Sequence, residues 1–491
     1  MPMAIGTFLA SMDGTIVLSS YASIGNELKE LQSSSWISTG YMLTLAAFQP
    51  LYGKMSDIFG RKPCLQFAYV VFALGSIFCG LAGTMSQLIL ARAFAGIGGG
   101  GMQTIVSIVM SDIIPLRQRG TWQGIINLVW ATGMAVGAPL GGLLADSIGW
   151  RWAFLLQAPL AMAALTAVSV SLRLPKPETT NFRDRLKRID FGGASILVVS
   201  LVALLLGLDR GGNVSWGDPV TIASLAIFAI AFPSFLVVEF KLAKEPFAPK
   251  RIVLNPALLA SYLCNLFCVS AGNCTIFYVS LYVQVVLKRT AAQAGLTLMP
   301  SIVGGVLGSL LGGFIIQVTG RYFFITVISY AWCLCGLILM TLSMGPLHTY
   351  LGLEIGLFIM ANGNGAGITT TLISLIAQAG PADQAIATAA SYLFRSIGSV
   401  LGLSVGSTVF QELLRHYLTQ RLQSGNADEI VRRVREALSY IDELDPASRA
   451  IVRSSYGMAL QTTFYFALAC ATCSFISSFF VKEKPIIHKE P

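Results

Sequence analysis

The sequence predicts an all-α polytopic membrane protein: two six-helix bundles with two extra helices inserted between them. Three observations predict it. The 491 residues are 54 % hydrophobic and only 12 % charged, with a mean hydropathy of +0.69, which leaves too little polar surface to cover a soluble globule of this size. Apolar runs close to the ~20 residues that a helix needs to cross a hydrocarbon core recur along the chain between short polar connections. The chain also repeats itself. A shift of 260 residues lays "GKMSDIFGR" (53–61) on "GFIIQVTGR" (313–321) and Asp13 on Asn273, and a shift of 265 lays Gly133, Gly137 and Gly141 on Gly398, Gly402 and Gly406.

Taken in order, fourteen runs read as spans: 4–24, 37–55, 65–84, 88–111, 124–146, 152–172, 191–209, 219–241, 258–284, 296–319, 323–344, 349–379, 389–412 and 458–481. The first carries Asp13 in its middle and no basic run before it, so it reads as a span and not as a cleavable leader. Residues 1–172 form the first bundle, 173–256 a linker that holds the inserted pair (191–241), and 257–491 the second bundle, interrupted by a long loop at 413–457. Repeats of this kind are the signature of a secondary transporter whose halves rock about a central site. The polar stretches 173–191 and 241–256 read as linkers and surface helices against anionic headgroups, and 426–453 as a loop helix by its apolar periodicity.

The net charge of +9 matters less than its placement. With both termini cytoplasmic, the cytoplasmic segments hold nineteen Lys and Arg, and the opposite short loops hold only Lys29, Arg151, Arg210, Lys288 and Arg289. The positive-inside rule therefore orients the chain and removes any need for a nucleic-acid partner. Asn213-Val-Ser215 is a glycosylation sequon in a loop that this topology places outside or in a lumen, whereas Asn273-Cys-Thr275 falls within a span.

Several chemistries drop out. Eight of nine cysteines lie in spans, and "CATC" (470–473) has no partner pair, so it reads as small packing residues. His348, His416 and His488 are scattered, and no metal site or enzyme cluster of nucleophile, base and metal emerges. "GIGGGG" (96–101) matches a dinucleotide fingerprint only in letters, since no strand precedes it. No phosphate-binding G-x-x-x-x-G-K-[ST] occurs, which leaves an ion gradient or facilitated diffusion as the drive. No cofactor is expected, and the partners are a small-molecule substrate, protons and the lipid bilayer, with the chain acting as a monomer.

The charged stretch at 53–62 is unusual between two apolar runs. Gly53 permits close helix approach, Asp57 can accept backbone N–H groups, Gly60 permits a tight turn and Arg61 can clamp a carboxylate. Together they suit a latch between the halves that must break for the other state to form. Lys62 taken alone reads as a snorkelling cation. Asp13 sits at mid-span, where a carboxylate costs about 2.5–3.5 kcal/mol. Burial favours its neutral form, as proton coupling requires; a structural hydrogen bond is the alternative. Arg92 and Arg395 are also intramembrane and must face the interior. Arg92 can hold a proton-site carboxylate in its charged form. Arg395 either binds an anionic group of substrate or fixes the thirteenth span by an internal pair, and the residues leave both open. Asn273, Asn362 and Asn364 are further candidates for the substrate cavity, and Glu354 lies near a span end.

These motifs carry a resemblance. G-x-x-x-D-x-x-G-R-K between the second and third spans resembles the loop signature of the major facilitator superfamily. "LARAFAGIGGGG" (90–101) is similar to its fourth-span motif, and "GMAVGAPLGG" (133–142), with Gly133, Gly137, Pro139, Gly141 and Gly142, resembles the fifth-span motif of its antiporter branch. "LASMDGTIV" (9–17) resembles the first-span Asp motif of its fourteen-span drug:proton antiporters. The resemblance covers the whole chain and leans to fungal members, which include toxin and drug exporters and vacuolar basic-amino-acid transporters. It implies a proton-coupled carrier in the plasma or vacuolar membrane. Asp57 and Arg61 would then work the latch, Arg92 would lie near the proton path, and Gly137 with Pro139 would bend the fifth span. A non-transporting nutrient sensor on the same fold is the alternative.

Overall fold

The computed structural model describes residues 3–28, 35–116, 118–174, 191–213, 215–238, 255–289, 291–345, 349–421 and 444–484, with isolated positions 241, 252 and 441. Most of the linkers 173–191 and 241–256 and of the expected loop helix at 426–453 lies outside these residues. The first bundle comprises α1 (Ala4–Glu27), α2 (Ser35–Phe59), α3 (Arg61–Leu81), α4 (Met85–Ile113), α5 (Arg119–Ser147), and the broken pair α6 (Arg151–Leu155) and α7 (Gln157–Ser171). The inserted helices are α8 (Phe191–Asn213) and α9 (Pro219–Val237). The second bundle comprises α10 (Pro256–Val285), the short α11 (Ala291–Thr297), α12 (Met299–Thr319), α13 (Phe323–Met344), α14 (Tyr350–Ala379), α15 (Gln384–Arg421) and α16 (Pro446–Ser478).

The helices start where the sequence supplies caps. Thr84 accepts from the Gln87 N–H at the head of α4, Asp218 caps α9, Asn255 caps α10 and Asp445 caps α16. Proline occupies the first turn of α9, α10, α12 and α16, where its missing N–H has no partner to lose. Gly60, Gly149 and Gly320 all take positive φ at the turn into the next helix. The recurring Gly-Arg skeleton is therefore a recurring left-handed turn that glycine adopts without strain.

Each predicted span falls on a helix, the sixth and tenth on helices broken in two. Among the described residues, ten helices are long and apolar enough to cross a membrane, and shorter apolar stretches, Ala4–Val17 and Gly192–Leu208, lie in α1 and α8. The count of fourteen crossings is thus not reached on length and composition alone. The two helices that fall short, α2 and α14, carry Gln49, Lys54 and Asp57, and Glu354, Asn362 and Asn364. Their polar content reflects position: α2 packs on α4 and α15, and α14 lies between α12 and α13.

The first bundle encloses a core around Tyr41, Tyr69, Phe72 and Met102, and the second a larger one around Tyr278, Tyr330, Leu357 and Phe464. The bundles meet along two seams, α5 on α12 and α2 on α15. The inserted pair covers the second seam: Leu197, Leu201 and Phe235 pack with Ala47 and Leu51 of α2 and Leu393 and Ile397 of α15. Trp216, between the inserted helices, donates to the Thr408 hydroxyl at 2.8 Å.

Candidate functional site

The first bundle carries one sealed ion pair. Arg92 Nη1 of α4 donates to both carboxylate oxygens of Asp13 on α1 at 2.7 Å, with both side chains at most 2 % exposed. Arg92 Nε donates to the Ile37 carbonyl at 3.3 Å, and the guanidinium lies 4.3 Å from the Tyr41 ring and 5.5 Å from the Phe154 ring. The two residues that the sequence set apart are thus each other's counter-ion. Two charges this deep are tolerable only as a pair with the remaining donors satisfied.

The glycines of the fifth-span motif bring α5 against the helix that carries Asp13. A Cβ at Gly133 would meet the Ser11 Oγ at 2.0 Å and the Phe8 carbonyl at 2.5 Å; at Gly137 it would meet Thr15 Oγ1 at 2.1 Å and the Met12 carbonyl at 2.5 Å. Only glycine lets α5 lie against α1 on either side of Asp13. Gly141 is buried, Gly142 half-buried, and Pro139 sits exposed within α5, which continues through it.

At the end of the bundles where α2 passes into α3, a second group of charges joins the halves. We call this the charged end. Arg61 pairs with Asp57, donates from Nη1 to Ser56 Oγ at 2.8 Å, and donates from Nε to Asp112 Oδ2 at 2.9 Å. Asp112, near the end of α4, also accepts from the Gln384 side chain at the start of α15, and Arg119 Nη1 donates to the Gln384 Oε1 at 3.4 Å. Gly53 brings α2 so near α15 that a Cβ would lie 2.6 Å from the Ala389 Cβ. Lys62 departs from the expected group: its ammonium donates to the Ser169 and Leu172 carbonyls at 2.7 and 2.9 Å. It caps the last carbonyls of α7 within its own bundle and neither snorkels nor joins the seam.

The internal repeat reappears in these contacts. Gly313, the counterpart of Gly53, meets Gly120 at the head of α5, and position 120 shifted by 265 is Ala385, next to Gly53. Gln317, the counterpart of Asp57, accepts from Thr121 at 2.7 Å. Further along, Asn127 donates to Ser309 Oγ at 2.7 Å, Ser309 meets Thr369 at 2.6 Å, and Ser396 donates to Gln49 at 3.0 Å. Among the described residues, every direct hydrogen bond between the two bundles lies in the half nearer the charged end.

The remaining candidates gather in the second bundle. Asn273 Nδ2 donates to Ser399 Oγ at 2.8 Å, Asn362 Nδ2 donates to the Gly304 carbonyl at 3.3 Å, and the buried Asn364 Oδ1 has no hydrogen-bond partner among the described residues. Arg395 is half-buried, 5.0 Å from the Tyr392 ring. Glu354 is half-buried near the start of α14. Sequence reasoning missed Asp112, Arg119, Gly120 and Gln384. The one available signal was an acid, Asp112, closing a span whose only other charge is Arg92.

The comparisons agree with this geometry. The profile of the Major Facilitator Superfamily matches residues 3–403. The chain is 40 % identical, over 98 % of its length and 83 % of the relative's, to the vacuolar membrane amino acid uptake transporter fnx2 of Schizosaccharomyces pombe. It is 36 % identical, over 98 % of its length and 91 % of the relative's, to the multidrug resistance protein fnx1 of the same yeast. In fold it is similar to the superfamily's proton:xylose symporter XylE, with a TM-score of 0.60 at 13 % identity over 99 % of this chain and 95 % of that one. Two bundles related by an internal repeat, a glycine-tight seam with its charged group, and a profile match across most of the sequence lead to one assignment: this chain belongs to the major facilitator superfamily.

Proposed function

We propose that the chain is a proton-coupled antiporter that moves a small organic solute by alternating access. The observation that carries this reading is that, among the described residues, the hydrogen bonds between the bundles lie in the half nearer the charged end. A carrier whose described bonds between the bundles gather toward one end is poised for a rocking motion that breaks one set of contacts and makes another. On this reading Gly53, Asp57, Gly60 and Arg61, together with Asp112 and Gln384, are the latch. The Asp13–Arg92 pair is the proton site, because protonation and pair opening coincide there. The closed end is cytoplasmic by the positive-inside count, and all fourteen helical runs cross the bilayer. The relatives' names point to amino acids taken up into the vacuole, or to drugs removed from the cell, as the solute. The membrane is accordingly that of the vacuole or the cell surface.

The test is uptake by vesicles prepared separately from vacuolar and plasma membranes of an expressing strain. Labelled lysine, arginine and a cationic dye are offered with and without an imposed pH gradient. Gradient-driven uptake of any of them supports the reading, and its absence from both membranes for all three overturns it.

A further inference from the structure

The second bundle holds an intramembrane cation with no anion beside it among the described residues. Among the described residues Arg395 makes no ion pair and no hydrogen bond, its neighbour of note being the Tyr392 ring at 5.0 Å. The direction in which it points follows from its helix. On α15, Ser391, Gly398 and Gly402 face α10, through the Asn265–Ser391 bond and the close approach of Gly398 to the Leu266 carbonyl and of Gly402 to the Ser270 carbonyl. Ser396 faces α2 through Gln49, and Leu393 and Ile397 face the inserted α8. With 3.6 residues per turn, Tyr392, Arg395 and Ser399 take the arc between α10 and α2, on the side away from the inserted helix. That side is the interior between the bundles.

Polar groups of the right kind surround it. Ser399, one turn along from Arg395, is bonded to Asn273 of α10. The preceding residue, Gly272, lies against the Asn364 side chain of α14, where a Cβ would come within 2.8 Å of Nδ2. Asn364 Oδ1 is a buried acceptor with no donor among the described residues. Among the described residues, an unpaired guanidinium and an unpaired amide oxygen, linked through the Ser399–Asn273 bond and Gly272, lack complementary things, a carboxylate and an N–H donor.

We infer that Arg395, with Asn364 and Asn273, is the subsite for the carboxylate and α-ammonium of a free amino acid. Arg395 takes the carboxylate through its planar fork, and Asn364 Oδ1 accepts from the α-ammonium. Charge across the interior supports the choice of ligand. Asp13 and Arg92 cancel, which leaves Arg395 uncompensated, so a cation lacking its own carboxylate is repelled where an amino acid is held. The inference rests on the chain being a solute carrier, but not on proton coupling.

The test is therefore binding to the full chain purified in detergent, read without any gradient. The twenty amino acids are screened by thermal shift, and the strongest is compared with its methyl ester and its decarboxylated amine in competition against the labelled amino acid. Loss of a charge-assisted bidentate contact weakens binding about 10- to 100-fold, so both analogues should be weaker by that factor. Arg395→Gln should weaken the amino acid equally and bring the ratio of amino acid to methyl ester close to one, while Arg395→Lys restores part of the discrimination. Equal binding of acid, ester and amine by the unmodified protein overturns the inference, and so does full discrimination surviving in Arg395→Gln. The comparison on unmodified protein decides the matter even where a variant fails to fold. If no amino acid binds yet vesicles move a dye on a pH gradient, the subsite falls and the antiporter reading stands.

Discussion

Replacing Gly120 by alanine should prop the charged end open. A Cβ there would lie 2.5 Å from the Gly313 Cα and 2.9 Å from the Ile373 Cδ1. Ordinary contact begins at 3.4 Å, so the seam must widen by 3.4 − 2.5 = 0.9 Å. The main obstacle is backbone, which no rotamer change relieves. Overpacking of this kind costs about 1–3 kcal/mol, and here it falls only on the state in which α5 touches α12. Position 120 is helical in α5 whichever state is formed, so the gain in helix propensity cancels and the overpacking alone moves the balance between states by about 1–3 kcal/mol, roughly 5-fold or more in population. The assay labels Ala389→Cys, introduced in a variant without the native cysteines, with a membrane-impermeant maleimide. Ala389 is 1 % exposed against Gly53 in the closed seam. Labelling at the charged end should accelerate about fivefold or more when Gly120→Ala is added, and transport should fall because one state no longer seals. An unchanged labelling rate in folded protein would refute the reasoning.

The other predictions concern the charges. Asp13→Asn and Arg92→Met each strand one member of a sealed pair and should lose about 3–5 kcal/mol of stability. Asp13→Leu with Arg92→Met should recover much of it while ΔpH-driven transport stays absent; melting in detergent and vesicle uptake check the two halves of the claim. Asp57→Asn and Asp112→Asn should cripple transport at normal abundance and speed labelling of Ala389→Cys; undiminished uptake in both would remove the latch from the mechanism. Lys62→Met should leave that labelling rate unchanged, since its bonds stay within the first bundle. Asp445, which caps α16, has its carboxyl held below the usual range by the Ser448 N–H and side chain. Its contribution is present above the unfolded value of about 3.9 and lost only as pH falls through the lower folded one, so Asp445→Asn should leave the pH dependence of melting between about 5 and 8 unaltered.

Much of this was legible in the chain because the bilayer restricts it so strongly. A spanning segment must satisfy its own backbone hydrogen bonds, so each apolar run of sufficient length becomes a helix. Every predicted run met one, and the caps at Thr84, Asp218 and Asn255 mark their starts. Intramembrane charge is equally informative, since Asp13, Arg92 and Arg395 cannot face lipid. The failures are of pairing. Lys62 carried the same charge as Arg61 one residue away, yet the helix turn directs it to α7. Asp112, Arg119 and Gln384 looked like ordinary span-end polar residues, and only the meeting of α4, α5 and α15 makes them a group.

What the sequence by itself determined is the class, the helices, the twofold repeat and which residues must be interior. Each of these follows from local composition and from the cost of polar groups in hydrocarbon. Tertiary structure alone decided which interior charge answers which: Arg92 takes Asp13 across 79 residues, Asp112 reaches Gln384 across 272, and Arg395 has no anion among the described residues. The reason is that a helix sets the direction of a side chain but not its neighbour. Neighbours come from where glycines such as Gly120, Gly133 and Gly313 let backbones touch, and that is a property of two surfaces at once.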